Sequence, residues 1–331
     1  MMNCWKIFLL VFLASIISAT PHQHSHQLNK ERTDHGSYNP RDVHHIENGE
    51  HHSEFDHEAI LGSVKEAEEF DKLTPTESKK RLGILVTKMD TNTDGYVDRH
   101  ELKAWILRSF KSLSEEEAAD RFDDVDSDKN DRISWEEYVH ETYGMNDEDD
   151  VKQNLLDNSN YSEEELKLIA DDKEMFDAAD TDKNGWLDDT EFVKFNSPEE
   201  HPEMLPIILK QTLKDKDKNG DGKIDFQEFV GESARDHDKE WLIIEKEKFD
   251  NDFDRDHDGY LNGSEILSWI VPSNEEVAID EVDHLFASSD EDHDDRLSYP
   301  EIIEKYDIFV GSEATDYGDH LQNIHHFNDE L

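Results

Sequence analysis

Asp90-Thr91-Asn92-Thr93-Asp94-Gly95-Tyr96-Val97-Asp98-Arg99-His100-Glu101 decides how the rest of the chain is read. Side-chain oxygens stand at the first, third, fifth, ninth and twelfth places, as Asp90, Asn92, Asp94, Asp98 and Glu101. The backbone carbonyl of Tyr96 falls at the seventh. A hard cation such as calcium takes six to eight oxygens, and a short loop supplies them only by coiling around the ion, so acceptors fall on alternate residues. Gly95 at position 6 allows the sharp turn, having no Cβ to clash at positive φ.

The pattern recurs five times, at 126–137, 180–191, 217–228, 254–265 and 290–301. The second loop offers Asp126, Asp128, Asn130, Ser134 and Glu137 with the carbonyl of Arg132. The third offers Asp180, Asp182, Asn184, Asp188 and Glu191 with that of Trp186. Asp217, Asn219, Asp221, Asp225, Glu228 and the Lys223 carbonyl make the fourth. Asp254, Asp256, Asp258, Asn262, Glu265 and the Tyr260 carbonyl make the fifth. The sixth has Asp290, Asp292, Asp294, Ser298 and Glu301 with the carbonyl of Arg296. Position 8 is aliphatic throughout (Val97, Ile133, Leu187, Ile224, Leu261, Leu297), where two such loops pair through a short β-bridge. Six matches in phase exclude chance, and the site residues are calcium ligands by type and spacing. Loops two and six carry Asp131 and Asp295 in place of Gly, and Ser at position 9. An L-residue held left-handed costs about 1–2 kcal/mol, so these two sites are expected to be the weakest.

The 331 residues hold 84 acidic and 34 basic side chains, a formal charge of −50, which excludes nucleic acid and anionic membrane surfaces as partners. The charge is concentrated at ligand spacing, which favours folding on the ion over disorder. Residues 1–19 (MMNCWKIFLLVFLASIISA) read as a secretory signal: Lys6, an apolar core too short to span a bilayer, then Ser18-Ala19 for cleavage. No membrane insertion is expected after its removal. The single cysteine, Cys4, lies inside it, so a secreted chain without disulfides needs another staple, and calcium is the obvious one.

Residues 20–69 form a polar leader rich in histidine, including His22, His24, His26, His35, His44, His45, His51, His52 and His57. Two readings stay open: a zinc- or copper-responsive or pH-responsive tract, and a solvated, largely disordered leader. The spacing fits no defined ligand set.

Thr74-Pro75-Thr76-Glu77 has the form of a helix start, with Thr74 as cap and Pro75 at the first helical position. Leu82, Leu85, Val86 and Met89 lead at helical spacing into the first loop, and Leu102, Trp105 and Ile106 lead out. Residues 113–117 (LSEEE) read as the start of the next entering helix. Loop starts are separated by 36, 54, 37, 37 and 36 residues. The long interval holds an acidic linker, 146–160, and 231–238 reads as a second joint. The expected fold is all-α: six EF-hands as three helix–loop–helix pairs with short loop–loop β-bridges, hands one and two over 70–145, three and four over 161–235, five and six over 236–310. A tail follows over 311–331. Sequons occur at Asn160, in the linker, and at Asn262, a loop ligand. Core packing is expected for Trp105, Trp186, Trp241 and Trp269.

The chain ends Asn328-Asp329-Glu330-Leu331, similar to the lumenal retrieval tetrapeptide and so to what a retrieval receptor reads. Signal, histidine-rich leader, six acidic hands and this tail together resemble the reticulocalbin/calumenin (CREC) family. So do the stretches 55–62 (FDHEAILG), 70–83 (FDKLTPTESKKRLG), 135–144 (WEEYVHETYG) and 305–318 (KYDIFVGSEATDYG). The resemblance implies low-affinity calcium binding in the endoplasmic reticulum or secretory lumen, with secretion or Golgi passage open, and regulation of client proteins there. It brings no catalytic residue, and with no mature cysteine or nucleophile motif the chain does not read as an enzyme. Beyond Met1 and Met2 only Met89, Met145, Met175 and Met204 occur, too few for a promiscuous methionine groove. A lumenal buffer and calcium-dependent chaperone, and a secreted calcium-dependent adaptor, both fit.

Overall fold

The computed structural model describes residues 37–43, 45–47, 50–144, 163–235 and 237–310. The signal, the 146–160 linker with Asn160, and the terminal tetrapeptide lie outside them. Among the described residues no helix is long and apolar enough to cross a membrane.

A two-stranded hairpin, β1 (Ile46–Glu47) and β2 (Glu50–His51), leads into α1 (Glu54–Leu61) and α2 (Val64–Phe70). Hand one is α3 (Pro75–Met89), β3 (Tyr96–Val97) and the start of α4 (Arg99–Val125). Hand two follows as the end of α4, β4 (Ile133–Ser134) and α5 (Trp135–Tyr143). Then come α6 (Glu163–Ala179), β5 (Trp186–Leu187) and α7 (Asp189–Asn196) as hand three. Hand four is α8 (Leu205–Lys216), β6 (Ile224–Asp225) and α9 (Phe226–Val230). In hand five, α10 (Lys239–Lys248) runs into a π turn (Phe249–Phe253) before β7 (Tyr260–Leu261) and α11 (Gly263–Ile270). Hand six is α12 (Asn274–Ser289), β8 (Leu297–Ser298) and α13 (Tyr299–Glu304), followed by α14 (Tyr306–Phe309).

The start of α3 follows its sequence: Thr74 caps, its hydroxyl accepting from the Glu77 amide, and Pro75 opens the helix. The LSEEE stretch behaves otherwise. It starts no helix, because α4 runs without a break through 27 residues from the first loop to the second. At 1.5 Å per residue this rod is about 40 Å long, and it holds those two loops at opposite ends. Its apolar face also turns: Leu102, Ile106 and Phe110 lie on one side, while Ala118, Phe122 and Val125 lie roughly 120° around the axis, at 100° per residue.

Loop pairing therefore departs from the expected adjacent order. The antiparallel bridges join β3 to β8, β4 to β5 and β6 to β7, so hand one pairs with six, two with three, and four with five. Position 8 meets position 8 in each, as Val97↔Leu297, Ile133↔Leu187 and Ile224↔Leu261, and all six side chains are fully buried. The 54-residue interval and the 231–238 joint, expected to separate modules, each connect the two halves of one.

Two cores result. One gathers hands one and six with α1 and α2, including Ile60, Leu82, Phe110, Leu285 and Phe309. The other gathers hands two to five, including Tyr138, Phe176, Phe192, Phe229 and Trp269. The second half of the expected disordered leader is thus folded: Ala59 and Ile60 are fully buried in the first core, and His57, 2% exposed, faces the Asp307 carbonyl across 3.1 Å. Gly62 ends α1 at φ +69°, and a Cβ there would meet the Ser109 backbone at 3.1 Å. Of the tryptophans, Trp269 is buried, Trp105 and Trp241 pack at core margins, and Trp186 is exposed on its loop.

Glu200, on a 3-10 turn (Pro198–Glu200), ties the lobes together. It accepts from Arg41 Nε (3.1 Å), the Ser114 hydroxyl (2.6 Å) and the Asn274 amide (3.1 Å). Burial works against its charge, but Arg41, Ser114 and Asn274 outweigh it and hold the carboxyl below its ordinary value. The stabilisation is complete above the ordinary value of 4.5 and is lost as pH falls through the lower folded value. Glu200→Ala should cost about 1–3 kcal/mol in urea denaturation with calcium saturating, and this difference should shrink in acid. The ring pairing has its own check. Lys103 Nζ lies 2.9 Å from Glu275 on α12, so zero-length carbodiimide coupling should yield a 103–275 cross-link. Cross-links joining loop one to loop two would refute the arrangement.

Candidate metal centres

Each loop is built the same way from its ends inward. The position 1 aspartate accepts the backbone N–H of position 6, at 2.9 Å for Asp90, Asp126, Asp180 and Asp254, 2.8 Å for Asp217 and 3.1 Å for Asp290. Positions 9 and 12 are also the N-cap and third residue of the exiting helix. Reciprocal capping boxes form in all six hands: 98/101, 134/137, 188/191, 225/228, 262/265 and 298/301. The same residues that offer oxygens to an ion thus satisfy the open amides of a helix start.

This brings the expected ligands together. Three carboxylates offer oxygens within 4.8 Å of one another in Asp126/Asp128/Glu137, Asp180/Asp182/Glu191, Asp254/Asp256/Asp258 and Asp290/Asp292/Asp294. In loops one and four an amide oxygen, from Asn92 or Asn219, stands at position 3. Among the described residues, no lysine or arginine pairs with any position 1 or position 12 carboxylate. The cations that reach the loops go to position 2, 5 or 6 instead: Lys305 to Glu291 (3.4 Å), Lys223 to Asp258 (2.9 Å), Arg296 to Asp94 (3.9 Å), Arg99 to Asp295 (2.6 Å). An oxygen-only donor set with converging, uncompensated carboxylates fits a hard divalent cation.

The backbone sets loops two and six apart from the other four. Gly95, Gly185, Gly222 and Gly259 sit at φ between +81° and +90°, whereas Asp131 and Asp295 sit at +59° and +61°. The aspartates have slid into the left-handed well that L-residues tolerate. In these same loops Glu137 and Glu301 are half-buried, while Glu101, Glu191, Glu228 and Glu265 are buried. Sequence reasoning missed a second left-handed residue, at position 4, where Thr93, Lys129, Lys183, Gly220, His257 and His293 all have positive φ. Their varied side chains carry no signal for it. It also missed Tyr299, whose hydroxyl donates to Asp90 Oδ2 at 2.7 Å and links hand six to a ligand of loop one.

Across each bridge a cation faces an aromatic ring at position 7: Arg296 over Tyr96 (5.5 Å), Arg132 over Trp186 (5.7 Å) and Lys223 over Tyr260 (5.0 Å). These six residues were expected to serve through their carbonyls, which leaves their side chains free for this pairing. Asn262 caps α11, its Oδ1 accepting from the Ser264 amide and hydroxyl, so a glycan there would compete with the cap.

Helix–loop–helix units bridged through position 8, with oxygen-lined loops, define a calcium-binding EF-hand protein. The model for an EF-hand domain pair matches residues 79–143, 169–232 and 246–306. It frames hands that are consecutive in the chain, whereas the β-bridges join different partners in space. The chain is 40% identical to reticulocalbin-2 of Crotalus adamanteus over 289 residues, covering 86% of this chain and 93% of that protein. Identity to reticulocalbin-2 of Mus musculus is 38% over 291 residues (87% and 90%), and to reticulocalbin-3 of Rattus norvegicus 35% over the whole of both chains. The chain belongs to the reticulocalbin family. It is a non-enzymatic calcium-binding protein of the secretory pathway.

Asp131→Gly and Asp295→Gly remove the left-handed penalty and should each tighten calcium binding at their own loop by up to about tenfold, as 1.4 kcal/mol corresponds to that factor. Calorimetric titration showing no change in the weakest sites would contradict the strain argument.

Proposed function

We propose that the protein is a low-affinity calcium buffer of the endoplasmic reticulum lumen whose client-competent shape exists only with ions bound. One observation carries this: among the described residues none of the twelve carboxylates at positions 1 and 12 pairs with a lysine or arginine, and in four loops three carboxylates gather within 4.8 Å of one another. Without ions these groups repel at short range, so binding free energy becomes folding free energy. Affinities of the extracellular-module type, around 10⁻⁴–10⁻³ M, match a lumen rich in calcium. The NDEL ending supports retention by a retrieval receptor.

A chaperone or adaptor role needs exposed apolar surface in the loaded state. Ile243 and Ile244, 59% and 53% exposed on α10, supply it. Clients are then lumenal proteins with complementary apolar segments.

Chelation should lower helical circular dichroism and raise the hydrodynamic radius, both reversibly on adding calcium. A chain unmoved in both would sink the coupling. For the client role, lumenal extract passed over immobilised protein should yield bound proteins with calcium and none with chelator. Ile243→Ser with Ile244→Ser should reduce that capture while leaving the calcium isotherm intact.

A further inference from the structure

We propose that His45, His51, Asp56 and His284 form a zinc site, separate from the calcium loops, that fastens the β1–β2 hairpin to the lobe of hands one and six. The four donors come from three segments: the hairpin and the residue before it, α1, and α12. All are within 4.8 Å of one another.

The geometry is that of a coordination shell. His45 Nε2 lies 2.8 Å from His51 Nε2 and 2.7 Å from Asp56 Oδ1. Asp56 Oδ2 lies 3.3 Å from His51 Nε2 and 3.6 Å from His284 Nε2. A tetrahedron with bonds of 2.0–2.1 Å has edges of about 3.3–3.4 Å, and these separations bracket that value. All three rings present the same nitrogen; the His45 ring stands at 63° to His51 and 87° to His284, and the last two are tilted by 30°.

Electrostatics point the same way. The Asp56 side chain is fully buried, and the groups that face its two oxygens are the imidazoles of His45, His51 and His284. Glu281, one turn before His284 on α12, is 2% exposed and has both oxygens unpartnered. No lysine or arginine among the described residues pairs with either. Two buried carboxylates faced only by imidazoles are costly to keep charged, and one divalent ion held among the three rings would offset both. Glu281 would stand outside the shell. Three nitrogens exclude calcium, and a tetrahedral arrangement favours zinc over tetragonal copper. With four protein donors the site is closed, as in structural zinc centres. The sequence could not show it, because His284 lies more than two hundred residues from the other three.

The test uses the full mature chain with calcium saturating, so that added metal does not enter the loops. Cobalt(II) should bind at one equivalent with the intense visible bands of tetrahedral coordination, and zinc should abolish them. His51→Ala and His284→Ala should each weaken zinc binding tenfold or more, since even loss of an outer-shell partner costs 10–100-fold. Both side chains are partly exposed, 39% and 32%, and circular dichroism verifies the fold of each variant. Alanine at His22, His24 and His26 should change nothing. A weak octahedral cobalt spectrum, or wild-type zinc affinity in the His51 and His284 variants, would overturn the assignment. Calcium isotherms on the same samples keep this result independent of the calcium reading.

Discussion

The unbroken helix between the first two loops is the constraint from which the architecture follows. A rod of 27 residues cannot fold back on itself, so loops one and two point away from each other and each must find a partner elsewhere. Loop two meets loop three, four meets five, and loop six is left to close on one. The change of apolar face along the rod does the rest, seating its first half in one core and its second half in the other. Once those cores are separate, a junction such as Glu200 with Arg41, Ser114 and Asn274 is what sets their mutual orientation.

Within each hand, economy comes from giving one residue two duties. Glu at position 12 is a ligand by type, but it also accepts the position 9 amide in a capping box, from 2.8 Å in loop six to 3.3 Å in loop three. The exiting helix and the ion shell are thus ordered by the same carboxylate. Loops two and six depart most from this scheme. Their serine caps supply a hydroxyl where the others bring a carboxylate or amide, and their position 6 backbone is displaced.

What the sequence made legible was local. Oxygen spacing, the aliphatic position 8 and the Thr74-Pro75 helix start all appear in the structure where periodicity put them. Partner choice was not legible, for a specific reason. Position 7 alternates aromatic and cationic from loop to loop, so bridging each odd loop to the even one after it or before it gives the same ring–cation match. What breaks the tie is helix continuity at residues 113–117, where Ser and three Glu mimic a capping box. There the Ser114 side chain turns inward to Arg41 and Glu200 instead. The leader misled for a related reason: its polar composition hides Ala59 and Ile60, which are core residues only because hands one and six pack around them.

Closure of loop one by loop six has a biosynthetic side. Tyr96 and its partner Ser298 are separated by about 200 residues. At roughly 5–20 residues per second, the ribosome needs on the order of 10–40 s between the two. Through that interval the first hand emerges with its apolar stripe bare, while hands two to five can already assemble behind it. The oldest part of the nascent polypeptide is therefore the last to be sheltered, and any chain stopped short of its sixth hand stays permanently unsealed at its beginning.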